Sequence, residues 1–584
     1  MKLGQIFFLI CFLLSSYLTH SQGFLRVKGK QIVNEKGENI LLRGMGLGGW
    51  MLQEGYMLRV QGIGQQQHVI KKNLEDLVGK EKTAAFYGAW LANHTRKIDI
   101  DSMKAWGFNS VRLAMHYNLY TLPIEEEPIA SQNTWLEKGF VMTDSLLEWC
   151  KANKMYLILD LHAAPGGQGN DLNISDRDPN KPSLWQSEAN QQKMIALWRK
   201  LAERYADEPW LGAYDIINEP NWGFSNLNDD KNGCNEQLNE PLKKLMVDIT
   251  KTIREVDKKH IIIVEGNCWG NNYNGIFPLW DNNMVISFHK YWNYNNKEAI
   301  QKYLDFREQQ NAPIWLGETG ENSNVWFRDA IHLIESHNIG WAWWPLKKLG
   351  FNNPLQVKTP KNYQKILDFW AKKGPKPSIE EAYQGLMELA ENLKLENCIY
   401  HKDVIDAMFR QPHTNAVKPF KSHLVESNTI INAVDYDLGR HSFAYLDKDT
   451  GNYYISVESE RNTGNRGHMY RNDGVDIELE ANTNDNYYVN HFENDEWLQY
   501  SVSVRKKGIY NFIFTVASEN GDGKLELSVN GKVQPIITIP NTNGWEQWKN
   551  TEIKGVRLKK GKNVLRIKAQ NGGFNFKAMQ FISA

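Results

Sequence analysis

The chain has 584 residues, 41% hydrophobic and 23% charged, which is room for about two to four domains of an ordinary soluble protein. Its 68 Lys plus Arg balance 68 Asp plus Glu, which excludes a basic excess for nucleic acid or anionic lipid. The 21 Trp and 24 Tyr are many. Most fit a core, but flat aromatic faces also stack on sugar rings and tilt the composition toward carbohydrate.

The first predicted element is the N-terminal "MKLGQIFFLICFLLSSYLTHSQG". Lys2 supplies a positive start, and Ile6 to Leu18 form an apolar run too short to span a bilayer. Thr19 and Ser21 are small residues where a signal peptidase reads, so residues 1–21 are expected to be a signal peptide. Cys11 leaves with it, and the bulky Ile10 before it argues against a lipoprotein anchor. No later run is long enough for a membrane helix. The protein is expected to be secreted (extracellular, cell surface or periplasmic), soluble and monomeric. Four cysteines remain, Cys150, Cys234, Cys268 and Cys398, with three possible connectivities and no metal-binding spacing. Cys150, in the helix-like "VMTDSLLEWCKANK", reads as a small buried hydrophobe.

From about residue 40 strands and helices alternate. "ILLRGMGL" predicts a strand, "RKIDIDSMKAWG" a helix stopped by Gly107, and "FNSVRLAM" the next strand. A helix over 138–153 leads to "MYLILDLHAAP", one near 188–206 to "LGAYDIINEP", and one near 236–257 to "HIIIVEGN". "MVISFHKYW" follows, then a helix near 297–310, "PIWLGETGE", a helix near 325–337 and "IGWAWWPLK". Eight strands, each followed by a helix or a long excursion, predict an α/β fold, a parallel (β/α)8 barrel over residues 24–411 including a helix-prone stretch at 378–410. The polar "RQPHTNAVKPFKSH" places a linker at 412–427. Beyond it the pattern is all-β. "GIYNFIFTVASENGDGKLELSVNGKVQPIITI" puts Tyr510, Phe512, Phe514 and Val516 on one strand face, with Asn-Gly hairpin turns at 520–521 and 530–531. Residues 428–584 are expected to form an antiparallel β-sandwich of jelly-roll type.

The strand ends carry the chemistry. In "LGAYDIINEPNW" an apolar run through Ile217 predicts a strand packed on both faces, yet it ends on Asn218 and Glu219. Asn-Glu-Pro alone is compatible with a simple turn. However, Arg112, His162, Asn218, Glu219, His289, Tyr291, Glu318 and Trp344 all fall at or near predicted strand C-termini, where a barrel builds its active site. Six strands doing so independently is hard to ascribe to capping. Two facing carboxylates are what glycoside hydrolysis needs, and on strands four and seven they could lie ~5–5.5 Å apart, the retaining spacing. The reading assigns Glu219 as acid/base with a raised pKa and Glu318 as nucleophile. Tyr291 would donate to the nucleophile and Arg112 would keep it ionised. Asn218 would hold the sugar 2-hydroxyl and Trp344 would floor the ring, with His289 also at a substrate-binding position.

"NEP", "HKYW", "GETG" and "VRL" on their respective strands resemble glycoside hydrolase family 5, the cellulase family, over roughly residues 24–375. "LLRGMGLGGWMLQEGYM" and "LDLHAAPGGQGNDLNISD" are similar to segments of its exo-β-1,3-glucanases. That likeness implies that Glu54 and His162 help bind a terminal glucose. Departures at "VRLAMHY" and at Pro345, together with different loop lengths, leave exo versus endo action open. "HMYRNDGVDIEL", "DEWLQYSVSV", "NGWEQWKN" and "GGFNFKAMQF" resemble a family 6 carbohydrate-binding module. By that resemblance Tyr470 and Trp545 would clamp a sugar, with Asn575 bonding its hydroxyls. Where that family has a glutamate-rich segment holding a structural calcium, this chain has "INAVDYD", with Asn432 and Val434, which argues against the ion. The resemblance implies an enzyme needing no catalytic metal or cofactor. It would be a secreted retaining hydrolase of β-1,3- or mixed-linkage glucan, poly- or oligosaccharide, tethered by its C-terminal module. The alternatives are endo-β-1,4-glucanase or β-mannanase action and, in another class, a non-catalytic polysaccharide-binding protein.

Overall fold

A computed structural model describes residues 23–60, 62–448 and 469–584. The expected signal peptide at 1–21 lies outside the described residues. Among them, eight parallel strands close into a barrel: β1 (Arg43–Gly46), β2 (Ser110–His116), β3 (Tyr156–Ala163), β4 (Leu211–Asp215), β5 (Ile261–Val264), β6 (Met284–Lys290), β7 (Ile314–Gly320) and β8 (Gly340–Trp344). Trp341 of β8 lies opposite Arg43 of β1 and completes the ring. The strands are buried on both faces, as their unbroken apolar runs require.

The first helix after β1, Lys97–Trp106 apart from the inserted pair Gln67–Val78 and Lys80–His94, shows the local logic. The Asp99 carboxylate accepts from the Arg96 N–H at 2.8 Å and so closes the helix start. Ile100 and Met103 face the barrel, and Gly107 ends the helix at φ 119, a conformation an L side chain avoids. The remaining barrel helices fall where periodicity placed them, at Glu137–Ala152, Glu188–Tyr205, Glu240–Val256, Gln301–Gln310 and Asn324–Ser336. The 378–410 stretch divides into Ile379–Asn392, opened by a Ser378/Glu381 capping box, and Lys402–Phe409. Trp198, Trp315, Trp326, Trp341 and Trp343 are fully buried, so much of the aromatic excess is packing. No helix among the described residues is long and apolar enough to cross a membrane.

The C-terminal part is a sandwich of two mostly antiparallel sheets. One runs through Leu424–Val425, Trp497–Val504, Gly561–Asn571 and Lys524–Val529; the other through Tyr487–Phe492, Phe574–Ser583, Gly508–Ala517 and Lys549–Leu558. Tyr510, Phe512, Phe514 and Val516 enter the core between them. Leu424–Val425, inside the stretch read as a linker, pair with Ser503–Val504.

Two expectations need correction. β4 ends at Asp215, short of Ile217, although Ile216 and Ile217 are fully buried and the Ile216 N–H still donates to the Ile263 carbonyl of β5 at 3.3 Å. Asn530–Gly531 does turn a hairpin between Lys524–Val529 and Lys532–Val533, but Asn520–Gly521 links strands of different sheets. Of the four cysteines, only Cys234 and Cys268 are bonded; Cys150, buried as expected, and Cys398 are free thiols. In the module's segment 430–434, Val434 is in the core and Asn432 is exposed.

Candidate active site

The strand C-termini open into a cleft of about 510 Å³, into which Glu54, His162, Glu219, His289, Tyr291, Glu318 and Trp344 project. Glu219 stands just past β4 at φ 43, a left-handed conformation that is costly for a side-chain-bearing residue. Cys268, Trp269, Trp292 and Glu321 on the neighbouring loops share that conformation.

The two acids meet across the mouth. A carboxylate oxygen of Glu219 and one of Glu318 lie within 4.8 Å of one another. Their surroundings differ. Glu318 Oε1 accepts from the Tyr291 hydroxyl at 2.9 Å, and Oε2 accepts from Arg112 Nη1 at 2.8 Å. Glu219 Oε1 accepts from His289 Nδ1 at 2.6 Å. Burial pushes the Glu219 carboxyl up, His289 pulls it back by charge and hydrogen bond, and Glu318 and Glu265 push it up again, leaving it at about 7.

Behind this pair lies a charged layer. Arg112 is fully buried and touches Asp215 at 2.9 Å, Asp160 at 3.2 Å, Glu265 at 3.3 Å and the Asn218 amide oxygen at 2.8 Å, besides Glu318. Burial works against its charge, but the four carboxylates outweigh that and raise its pKa well above the usual value. Glu265, at the end of β5, bridges the site. One oxygen accepts from the Glu219 N–H at 2.7 Å and the other lies 3.0 Å from His289 Nε2. Burial disfavours the charge of His289, yet Glu265, Glu219 and Glu318 together hold its pKa well above the ordinary histidine value. His289 thus lies between the carboxyl groups of Glu219 and Glu265. Its ligand atom and those of Glu219 and Glu318 are close enough for a metal. Each group, however, is already engaged by the contacts above.

His162 is the neutral counterpart. Burial first, against a raising contribution from Glu318, brings its pKa down to about 3. Its Nδ1 donates to Asp160 at 2.8 Å, and its Nε2 accepts from Asn218 Nδ2 at 3.3 Å. Asn218, expected at a sugar hydroxyl, is fully buried beside Arg112. The His162 ring stacks on Trp344 at 4.9 Å, and the indole N–H of Trp344 donates to the Tyr56 hydroxyl at 3.1 Å. Glu54 is pushed well above the usual carboxylate range by burial and then by Glu318 and Glu321.

Several cleft residues escaped the sequence reading: Glu265, Asp160 and Asp215 in the charged layer, and Tyr56, Asp171, Trp269, Lys290, Trp292 and Glu321 on the walls. Glu265 had a signal as good as that of Glu219, an acid closing the apolar run "HIIIVEGN". Trp269 donates to Asp171 at 3.3 Å, and the Cys234–Cys268 bond beside it ties the loops after β4 and β5 together.

In the sandwich, Trp545 is 39% exposed and 6.5 Å from the His491 ring. Asn575 is buried and donates to the Trp545 carbonyl at 2.7 Å. Tyr470 is instead held by Asp435 and Lys421 at its hydroxyl, with its ring 4.8 Å from Tyr487.

Residues 71–350 match the family model for cellulase (glycosyl hydrolase family 5), and residues 468–583 match carbohydrate binding module family 6. Over residues 71–350 the barrel carries a glycosyl hydrolase family 5 domain. This hydrolase is 24% identical over 417 residues to a beta-xylosidase of Phanerodontia chrysosporium, covering 63% of this chain and 82% of the relative. It is 27% identical over 319 residues to endoglucanase C of Acetivibrio thermocellus, covering 43% of this chain and 84% of the relative. It is also 25% identical over 313 residues to a probable glucan 1,3-beta-glucosidase A of Emericella nidulans, covering 51% of this chain and 71% of the relative.

Proposed function

We propose that this glycoside hydrolase is a secreted retaining β-glucanase acting on β-1,3- or mixed-linkage glucan, tethered to polysaccharide by its family 6 module. The observation that carries the reading is the acid pair within 4.8 Å, close to the separation of retaining rather than inverting enzymes. Glu219, its pKa pushed up to about 7, gives its proton to the glycosidic oxygen. A Glu318 oxygen bonds to the anomeric carbon as the bond to the leaving oxygen breaks. The Glu219 carboxylate then takes a proton from water, whose oxygen displaces Glu318, and both acids return to their starting states.

Tyr291 and Arg112 keep the Glu318 oxygens in line, and His289 with Glu265 fixes Glu219 from behind. Glu54 and His162 face the cleft as hydroxyl partners for the sugar in front of Glu318. Trp344 gives its ring a floor, and Asn218 orients from the buried layer. The glucan assignment draws on the likeness to glucan 1,3-beta-glucosidase segments and on the names of two relatives. An endo-β-1,4-glucanase reading is carried by the endoglucanase among them. Glu318→Ala is expected to abolish hydrolysis with the fold intact, and product analysis on laminarin, mixed-linkage glucan, cellulose and mannan to favour the first two. Activity retained in Glu318→Ala would refute the assignment, and preference for cellulose or mannan would refute the linkage.

A further inference from the structure

The loop after β7 is not completed by the barrel alone. It leaves Glu318, turns through Glu321 at φ 54 and enters the helix Asn324–Ser336 with Ser323 as its cap. One residue of the C-terminal module, Asn472, meets three of its polar groups. The Asn472 side-chain amide donates to the Asn322 carbonyl at 2.9 Å and to Asn324 Oδ1 at 3.1 Å. Its backbone carbonyl accepts from the Asn324 N–H at 2.7 Å, one of the first amides of a helix, which no intrahelical partner can satisfy. The Asn472 N–H goes to Asp403 Oδ2 at 2.9 Å, and that same oxygen accepts from Asn324 Nδ2 at 2.7 Å.

Asn322, Asn324, Asp403 and Asn472 are all at least nine-tenths buried. A buried polar network of this kind is stiff when complete and costly when one member is lost. The module side is anchored where it makes the contact. The Arg471 guanidinium lies 4.0 Å over Tyr436 and 4.5 Å over Phe420, and pairs with Asp473 at 3.0 Å. On the barrel side the loop supports the cleft wall. The Glu321 carbonyl accepts from Trp292 Nε1 at 3.4 Å, the Glu321 carboxylate takes Lys348, and both Trp292 and Glu321 line the cleft.

We propose that Asn472 is a positioning residue for the hydrolase. Through the 322–324 loop it holds the Glu321 and Trp292 wall of the cleft, so the module is a fixed part of the site's framework as well as a sugar binder. The proposal rests on the reading of the cleft as the glycan site. It differs from a passive staple between domains, which would leave substrate affinity and local motion at the cleft unchanged.

The test uses the full chain carrying Asn472→Ala or the similarly sized, uncharged Asn472→Leu, which removes the amide donor without burying a new carboxylate beside Asp403. With one or two buried hydrogen bonds lost, KM for a soluble β-glucan oligosaccharide is expected to rise about fivefold or more while kcat changes less than about threefold. Amide hydrogen exchange in the peptide 319–327 is expected to accelerate, with the peptide 156–163 across the barrel unchanged. Unaltered KM and unaltered exchange at 319–327, or exchange accelerated equally throughout the barrel, would overturn the proposal. Should Asn472→Ala fail to fold, Asn472→Leu carries the same comparison. A parent enzyme that hydrolysed no glycan would sink the functional reading alone, because the exchange comparison would still decide the role of Asn472.

Discussion

At the scale of single residues, the site separates two glutamates by environment. Glu318 has a donor on each oxygen, whereas Glu219 is buried beside His289 and two further acids. The carboxyl of Glu219 sits at about 7 in the folded chain against an ordinary 4.5. A raised folded pKa means that the native state binds the extra proton between these values, so stability falls as pH rises from about 4.5 to 7. The loss amounts to about 3 kcal/mol for this buried group. Glu219→Gln, neutral throughout, is expected to flatten that fall in thermal melts recorded across the range. The parent's kcat/KM is expected to decline above about pH 7, where the acid has lost its proton. A parent profile still rising at pH 8 would remove Glu219 from the acid role. Both acids were readable from sequence as charges closing apolar strands. Asp160, Asp215 and Glu265 had comparable signals, but their function as a charged layer around Arg112 depends on strands far apart in the chain meeting inside one barrel.

Secondary-structure elements decide how the cleft floor is built. Trp344 ends β8, and its indole lies over the backbone following β1. A methyl group at Gly48 would come within 2.5 Å of the indole, and one at Gly46 equally close. Those glycines in "RGMGLGGW" therefore leave room for a ring. Gly48→Ala is expected to displace the indole and raise KM for oligosaccharide about tenfold or more, within the 1–3 kcal/mol of an overpacked site. Equal KM values would show that Trp344 does not floor the sugar. The eight strands were legible because parallel strands buried on both faces leave continuous apolar runs. The end of β4 was not, since Ile216 and Ile217 beyond it are as fully buried as the strand residues before them. The Asn520–Gly521 reading failed for a related reason: turn residues announce a reversal but not which strand lies beyond it. Gly508–Ala517 pairs with Lys549–Leu558 and Phe574–Ser583, contacts that no local pattern encodes.

Across the whole molecule, the sandwich lies against the barrel beside the loop that follows Glu318. A sugar site on a fixed module raises the effective concentration of glucan near the cleft without adding a contact within it. Trp545, an exposed aromatic of the module, is the residue proposed to stack on such a chain. Trp545→Ala is expected to weaken retention on insoluble glucan about tenfold, as loss of an aromatic platform does, and undiminished retention would move the binding surface elsewhere. The order of domains was plain from the switch in periodicity, while the contact through Asn472 was invisible, because a single asparagine carries no sign of the loop it will meet.

The account turns on Glu318 forming a bond to the sugar. Incubating the protein with a glucoside that bears a 2-fluoro group and an activated leaving group, followed by peptide mass spectrometry, tests this directly. One glycosyl adduct on Glu318 is the expected result; an adduct on any other residue, or turnover with no adduct accumulating, would contradict it.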